Sequence, residues 1–309
     1  MSHPPAGLAH TVSSRALHWL HANRHHGALS DLPDADLSAD RGAYKALGET
    51  ALAASLVLRG GAAGTTELSL ARELLAYCWE QAGEGSLLYE RLLRYPLKTD
   101  PLETYAHFNR GGLRHEELDE LLAHTATLTS THASEHVPNR RLGVANALRV
   151  SGLDHGAGAP DWPTLTRATW LGHTPDPWHI DWLTAYAVTH TVYHLTDWGR
   201  LPTGVPDDLT DYLRRWLPVW TDIWSEAGHW DLMAELMIVD MCLPGSHVDP
   251  ADWQRLAEVQ HEDGMVPRDD QPVDDDPAQR FDDHQHPTIV AVIAGNLALT
   301  RALENPQPA

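Results

Sequence analysis

The chain has 309 residues, with 43 Asp and Glu against 22 Lys and Arg, giving a formal net charge of −21. That charge excludes nucleic acid and anionic membrane as expected partners, because both require a cationic face. The two cysteines, Cys78 and Cys242, lie far apart and encode no disulfide framework, which makes a reducing cytoplasm the expected compartment.

Residues 1–9 are expected to fray, and they lack the basic start and apolar run of an export signal. Nowhere does an uninterrupted apolar run reach the roughly 18 residues of a membrane span. Thr11 or Ser13 can cap a first helix through Ala28, with Leu17, Trp19 and Leu20 as apolar contacts. Its four histidines, His18, His21, His25 and His26, read mostly as exposed side chains. An acidic loop over 30–40 follows. Helix two spans 41–59 with a small apolar stripe (Ala46, Leu47, Ala51, Ala54, Leu58), which suits a helix hemmed in on several sides.

Helical patterns then occupy 65–81, 86–95, 101–109 and 114–129, the last strongly amphipathic. Pro138 opens a helix to Ser151, and Asp161 opens one that breaks at Gly172 and Pro175. The segment 178–198 is helical, with Gly199 as its stop. Beyond it come 207–227, which Pro218 should kink, then 229–243, 253–261 capped by Asp249, and a last helix over 287–304. Residues 264–283 read as an acidic loop able to act as a lid, and 305–309 as a frayed end. No strand alternation is present, and no linker divides the chain, so a single all-α domain over 1–309 is expected.

Helix stops at Gly60, Gly111, Gly152, Gly199 and Gly245, with the end near Glu304, recur roughly 40 to 60 residues apart, the mark of stacked helical hairpins. Polar helices (114–129, 207–227, 249–261) alternate with apolar ones (137–151, 178–198, 229–243, 286–304). Outer and inner layers of an (α/α)6 toroid explain that alternation, and an open solenoid is the competing arrangement.

The run containing Leu256, Gln260 and Gly264 resembles the Gln-Trp repeat of terpenoid cyclases and protein prenyltransferases, with Val266 where that repeat has Trp. The resemblance implies a helical toroid and a cyclase-, lyase- or transferase-type enzyme acting on an apolar or aromatic small molecule. Through the prenyltransferase pattern it implies a zinc set of Asp240, Cys242 and His286. The class II cyclase acid motif is not met, because Val273 and Pro277 flank the run Asp274 to Asp276.

The 178–198 helix carries the densest chemistry. Leu183, Tyr186, His190, Tyr193, His194 and Asp197 fall on one stripe, where packing alone would favour aliphatic residues. Three readings fit His190 and His194, one turn apart. They can be satisfied core histidines. They can share one divalent metal, zinc or another transition metal, with His284, His286, Glu235 or Asp240 supplying a third ligand and Asp197 orienting His194. They can also act as metal-free acid and base, since imidazole titrates near neutrality. Catalytic expectations are therefore His190, His194, Asp197 and Tyr186, in a cavity lined by Trp182, Tyr193, Glu235 and Trp230. The expected partner is a small-molecule substrate. A non-catalytic binding or scaffold protein is the rival reading. Nucleotide and serine-hydrolase motifs are absent.

Overall fold

The computed structural model describes residues 5–31, 33–155, 159–246 and 248–304, and among them every regular element is helical. The first helices are α1 (Pro5–Asn23), α2 (Arg41–Gly60), α3 (Thr65–Gln81), α4 (Ser86–Arg94) and α5 (Asp100–Arg110). They are followed by α6 (Glu116–Thr125), α7 (Thr129–His132), α8 (Pro138–Val150), α9 (Trp162–Arg167) and α10 (Trp182–Thr196). The chain closes with α11 (Asp207–Glu226), α12 (Trp230–Cys242), α13 (Pro250–Val259) and α14 (Pro277–Glu304). None of these helices is long and apolar enough to cross a membrane.

One apolar core runs from Ala9 to Leu297. Helix α2 packs on α5, α5 on α8, α8 on α10, α10 on α12, α12 on α14, and α14 returns to α2. Against this inner series lie α1 on α14, α3 on α2, α4 on α5, α9 on α8 and α11 on α12. The division follows composition. Almost every residue of α12 and the middle of α2 is buried, whereas α11 shows Val219 and Ile223 to solvent.

Arginines fix which way the inner helices point. In the last turn of α2, Arg59 donates to the Asp197 carboxylate at 3.0 Å and to the Trp198 carbonyl at 2.8 Å. Arg110, ending α5, donates to the same carboxylate at 3.0 Å. Arg149 near the end of α8 donates to the His194 carbonyl at 2.7 Å, and Arg301 in α14 reaches the Met241 and Gly199 carbonyls, each at 2.8 Å. Helix C-termini leave carbonyls unpaired and carry partial negative charge, so guanidinium groups there satisfy both. The C-terminal ends of α2, α5, α8, α10, α12 and α14 thus meet at one closed end.

Several boundaries differ from those the sequence predicts. Helix α1 starts at Pro5, so 5–9 are helical, while 1–4 and 305–309 lie outside the described residues. The 178–198 helix shortens to Trp182–Thr196 because Asp181 forms a capping box with Thr184, and Asp197 and Trp198 turn left-handed at φ 45° and 53°. Helix α14 begins at Pro277, ten residues before Pro287; its burial among neighbours keeps it continuous through that proline. The acidic loop therefore ends at Asp276. Helix α11 likewise runs through Pro218.

The residues that resemble a Gln-Trp repeat tie α13 to α1. Gln260 is buried, and its amide donates to the Val12 carbonyl at 3.0 Å and the Gly264 carbonyl at 2.9 Å.

Candidate functional site

The inner helices enclose a cavity of about 750 Å³, and α2, α5, α8, α10, α12 and α14 all contribute to its wall. His286 lines it, carried by α14 just before that helix's mainly apolar stretch. Its Nδ1–H points at Glu49 Oε2 on α2, 3.0 Å away. Its Nε2 lies 3.6 Å from Glu235 Oε1 and 3.9 Å from Asp231 Oδ2, both on α12. Burial alone would push the imidazole toward neutrality, but Glu49 and Glu235 outweigh it and raise its pKa to about 10. Correspondingly, burial would raise Glu49 and Glu235, yet His286 dominates and holds both carboxyls below their usual range.

Glu235 Oε2 also accepts from the hydroxyl of Thr189, and the same oxygen lies 4.0 Å from His190 Nε2. The His190 side chain is 45% exposed, so its ring stands free toward the cavity space. Tyr193 is locked behind it, donating its hydroxyl to the Glu235 backbone carbonyl at 2.8 Å. Tyr186 donates to Asp231. His194 behaves differently from His190. Desolvation, with His190, Arg140 and Arg149 nearby, lowers its pKa to about 3, and its Nδ1 has no partner. It is a neutral imidazole at physiological pH. Gly143 on α8 makes room for it, since a Cβ there would come within 3.2 Å of its Nε2.

Of the residues the sequence singles out, His190, His194, Tyr193, Glu235 and His286 line this one cavity. Tyr186 joins it through Asp231. The others do not. Trp182 is 58% exposed, Leu183 63%, and Trp230 donates its indole N–H to Asp270 at 3.2 Å, away from the cavity wall. Only Trp198 of the described tryptophans lines it, beside Tyr44 and Tyr193, so the wall is more charged than aromatic. Asp197 does not orient His194. It sits at the closed end, gripped by Arg59, Arg110 and Arg200.

The Asp240, Cys242 and His286 set is not brought together. Asp240 accepts from Ser246 at 2.8 Å, and the Cys242 thiol is buried beside Gly199, where burial pushes it up to about 12. His190 and His194 have ring centroids 6.1 Å apart. Among the described residues, no group of three His, Cys, Asp or Glu side chains has metal-holding geometry.

Glu49, Asp231, Lys45, Lys98 and Arg140 belong to the site or its surroundings, and no motif spacing in the sequence singles them out as site residues. Glu49 carries a signal, since it is the one carboxylate of α2 and stands at the start of that helix's small apolar stretch.

Compared with known families, the chain matches over residues 13–296 the one described as a domain of unknown function, DUF6895. It belongs to that family. The matched span contains every residue that lines the cavity, so the pocket is part of the DUF6895 domain itself. No curated protein and no solved structure matches the chain.

Proposed function

We propose that the inner series of helices is an (α/α)6 toroid and that the protein is an enzyme performing acid–base chemistry on a small molecule held in its central cavity. The return contact of α14 on α2 supports closure over an open solenoid. The observation that carries the enzymatic reading is the Glu235 carboxylate set between His190 at 4.0 Å and His286 at 3.6 Å, with His286 clamped from behind by Glu49.

In this reading His190 is the catalytic residue, exchanging a proton with the substrate. Glu235 is a positioning residue that orients His190 and balances the imidazolium form. His286, held cationic between two carboxylates, fixes Glu235 in place. Proton transfer of this kind suits a lyase or cyclase. The charged wall favours a polar substrate over the apolar one implied by the terpenoid-cyclase resemblance.

The test is conversion of small molecules. Purified protein is incubated with a deproteinised extract and the extract is profiled by mass spectrometry, with the His190→Ala variant alongside. Compounds consumed by the wild type and spared by His190→Ala support the enzyme. Compounds that co-purify with the protein yet emerge unchanged would instead assign it to the binding class.

A further inference from the structure

We propose that the cavity selects an anionic small molecule, one bearing a carboxylate or phosphate group, and that Arg41 and Lys98 receive that group. The proposal rests on the acid–base reading only for what happens afterwards; the charge argument stands separately.

The chain carries a net charge of −21 and only two lysines. Both lysines, Lys45 and Lys98, line this cavity, together with Arg41, Arg91, Arg110 and Arg140. Against these six cations and the protonated His286 the wall sets five carboxylates, Asp36, Glu49, Asp100, Glu103 and Glu235. Two further carboxylates stand behind that wall, Asp197 on Arg110 and Asp231 facing His286, so the charge left without a partner is cationic and lies at Arg41 and Lys98. Low-dielectric walls focus such a field on whatever enters.

The carboxylates are already engaged. Asp100 accepts from Arg91, Glu103 from Arg140 at 2.6 Å, Glu49 from His286 at 3.0 Å, Glu235 from Thr189, and Asp36 from the Ser38 backbone N–H at 2.7 Å. The cations are not all used. Lys45 comes only within 3.7 Å of Glu49 and is 64% exposed. Among the described residues Arg41 and Lys98 have no side-chain hydrogen bond or ion pair.

Their placement divides the pocket. Arg41 is the first residue of α2, Lys98 precedes α5 by two residues, and Arg140 lies in the first turn of α8. His190, Glu235 and His286 come from α10, α12 and α14, the other half of the inner series. A substrate whose anionic end meets Arg41 and Lys98 thus presents its remaining atoms toward His190. Guanidinium and ammonium groups are the side chains that bind carboxylate and phosphate by charge-assisted hydrogen bonds.

Isothermal titration calorimetry of the full chain with inorganic phosphate, with succinate, and with neutral succinamide tests this. Phosphate or succinate should bind at one site per chain and succinamide should not. The Arg41→Ala/Lys98→Ala variant should bind the anion about tenfold more weakly or worse, with an unchanged melting temperature because both side chains are exposed and unpartnered. Stronger binding of phosphate indicates phosphate esters as ligands, and stronger binding of succinate indicates carboxylates. Failure of both anions to bind, or equal affinity in the double variant, overturns the proposal. Anion binding that survives in His190→Ala, in a protein that converts nothing, would leave this inference standing and sink the enzymatic one; conversion of a neutral compound with no anion binding would do the reverse.

Discussion

Asp197 and Arg110 lie 87 residues apart in sequence, and their carboxylate and guanidinium meet at 3.0 Å with both side chains almost fully buried. Arg59 adds a second contact at 3.0 Å, so one carboxylate is shared by two arginines from the last turns of two helices. Burial would raise the Asp197 pKa, but Arg110 and Arg59 outweigh it and hold the group ionised. Removing one partner of a buried ion set leaves charge without compensation, which costs about 3–5 kcal/mol. Asp197→Ala should therefore lower the melting temperature by roughly 10 °C. An Asp197→Ala protein that melts with the wild type would show that the arginines find other partners.

The His286 cluster makes stability depend on pH in the alkaline direction. Its folded pKa of about 10 lies above the ordinary histidine value of 6.5, so its contribution is fully present below pH 6.5 and is lost as pH rises through 10. The groups facing it are Glu49, Asp231 and Glu235, with Glu235 also facing His190. Glu49 and Glu235, both held below the usual carboxylate range, stay ionised across that window. Urea midpoints should fall between pH 7 and 10 in the wild type and stay nearly level in His286→Gln, which should also be the less stable protein at pH 7. A wild-type curve as flat as the variant's would mean that His286 is not cationic in the fold.

The helical class and the starts of several helices are legible in the sequence because they depend on neighbours within a few residues. Asp161 and Asp249 each cap the helix they precede, by bonds to residues two or three positions on, whereas the cap at Asp181 lies inside the helix the sequence predicts over 178–198. The 178–198 stripe likewise placed His190, Tyr193 and His194 correctly on one wall. What stays hidden requires contacts between residues far apart in the sequence. Glu49 meets His286 over 237 residues, and Asp197 meets Arg59 over 138. Nothing local to Asp197 distinguishes a carboxylate that orients a histidine from one that binds arginines. Trp182 and Trp230 failed as cavity residues for a related reason. Each opens its helix, so its side chain stays away from the deep part of the pocket where His190 and Glu235 sit.

Activity should separate His190 from Glu235. His190→Ala removes a half-exposed ring that holds up little structure, so it should keep the wild-type melting temperature and lose about a hundredfold or more in rate on whichever compound is converted. Glu235→Gln removes the partner of both His190 and His286, so it should lose rate and stability together. Glu235→Asp, which keeps the charge, should recover part of both. Full activity in His190→Ala would remove it as the catalytic base.

Gly264 gives the junction of α13 and α1 a conformational test. Its φ is +102°, and a Cβ there would lie 2.2 Å from the Arg15 backbone carbonyl. Around it, Arg15 donates to the His261 carbonyl at 2.6 Å and Trp19 to Asp263 at 3.1 Å, so the turn is bolted to α1 on both sides. Neither backbone can retreat cheaply. Gly112 is the matched control, because its φ is +84° with nothing within 4 Å of the added carbon. Gly112→Ala should cost only the backbone strain, about 1 kcal/mol. Gly264→Ala should cost clearly more, because the same strain is joined by a backbone clash, and it should speed hydrogen exchange in α1. Equal midpoints for the two variants in urea would show that α1 does not pack closely on this turn.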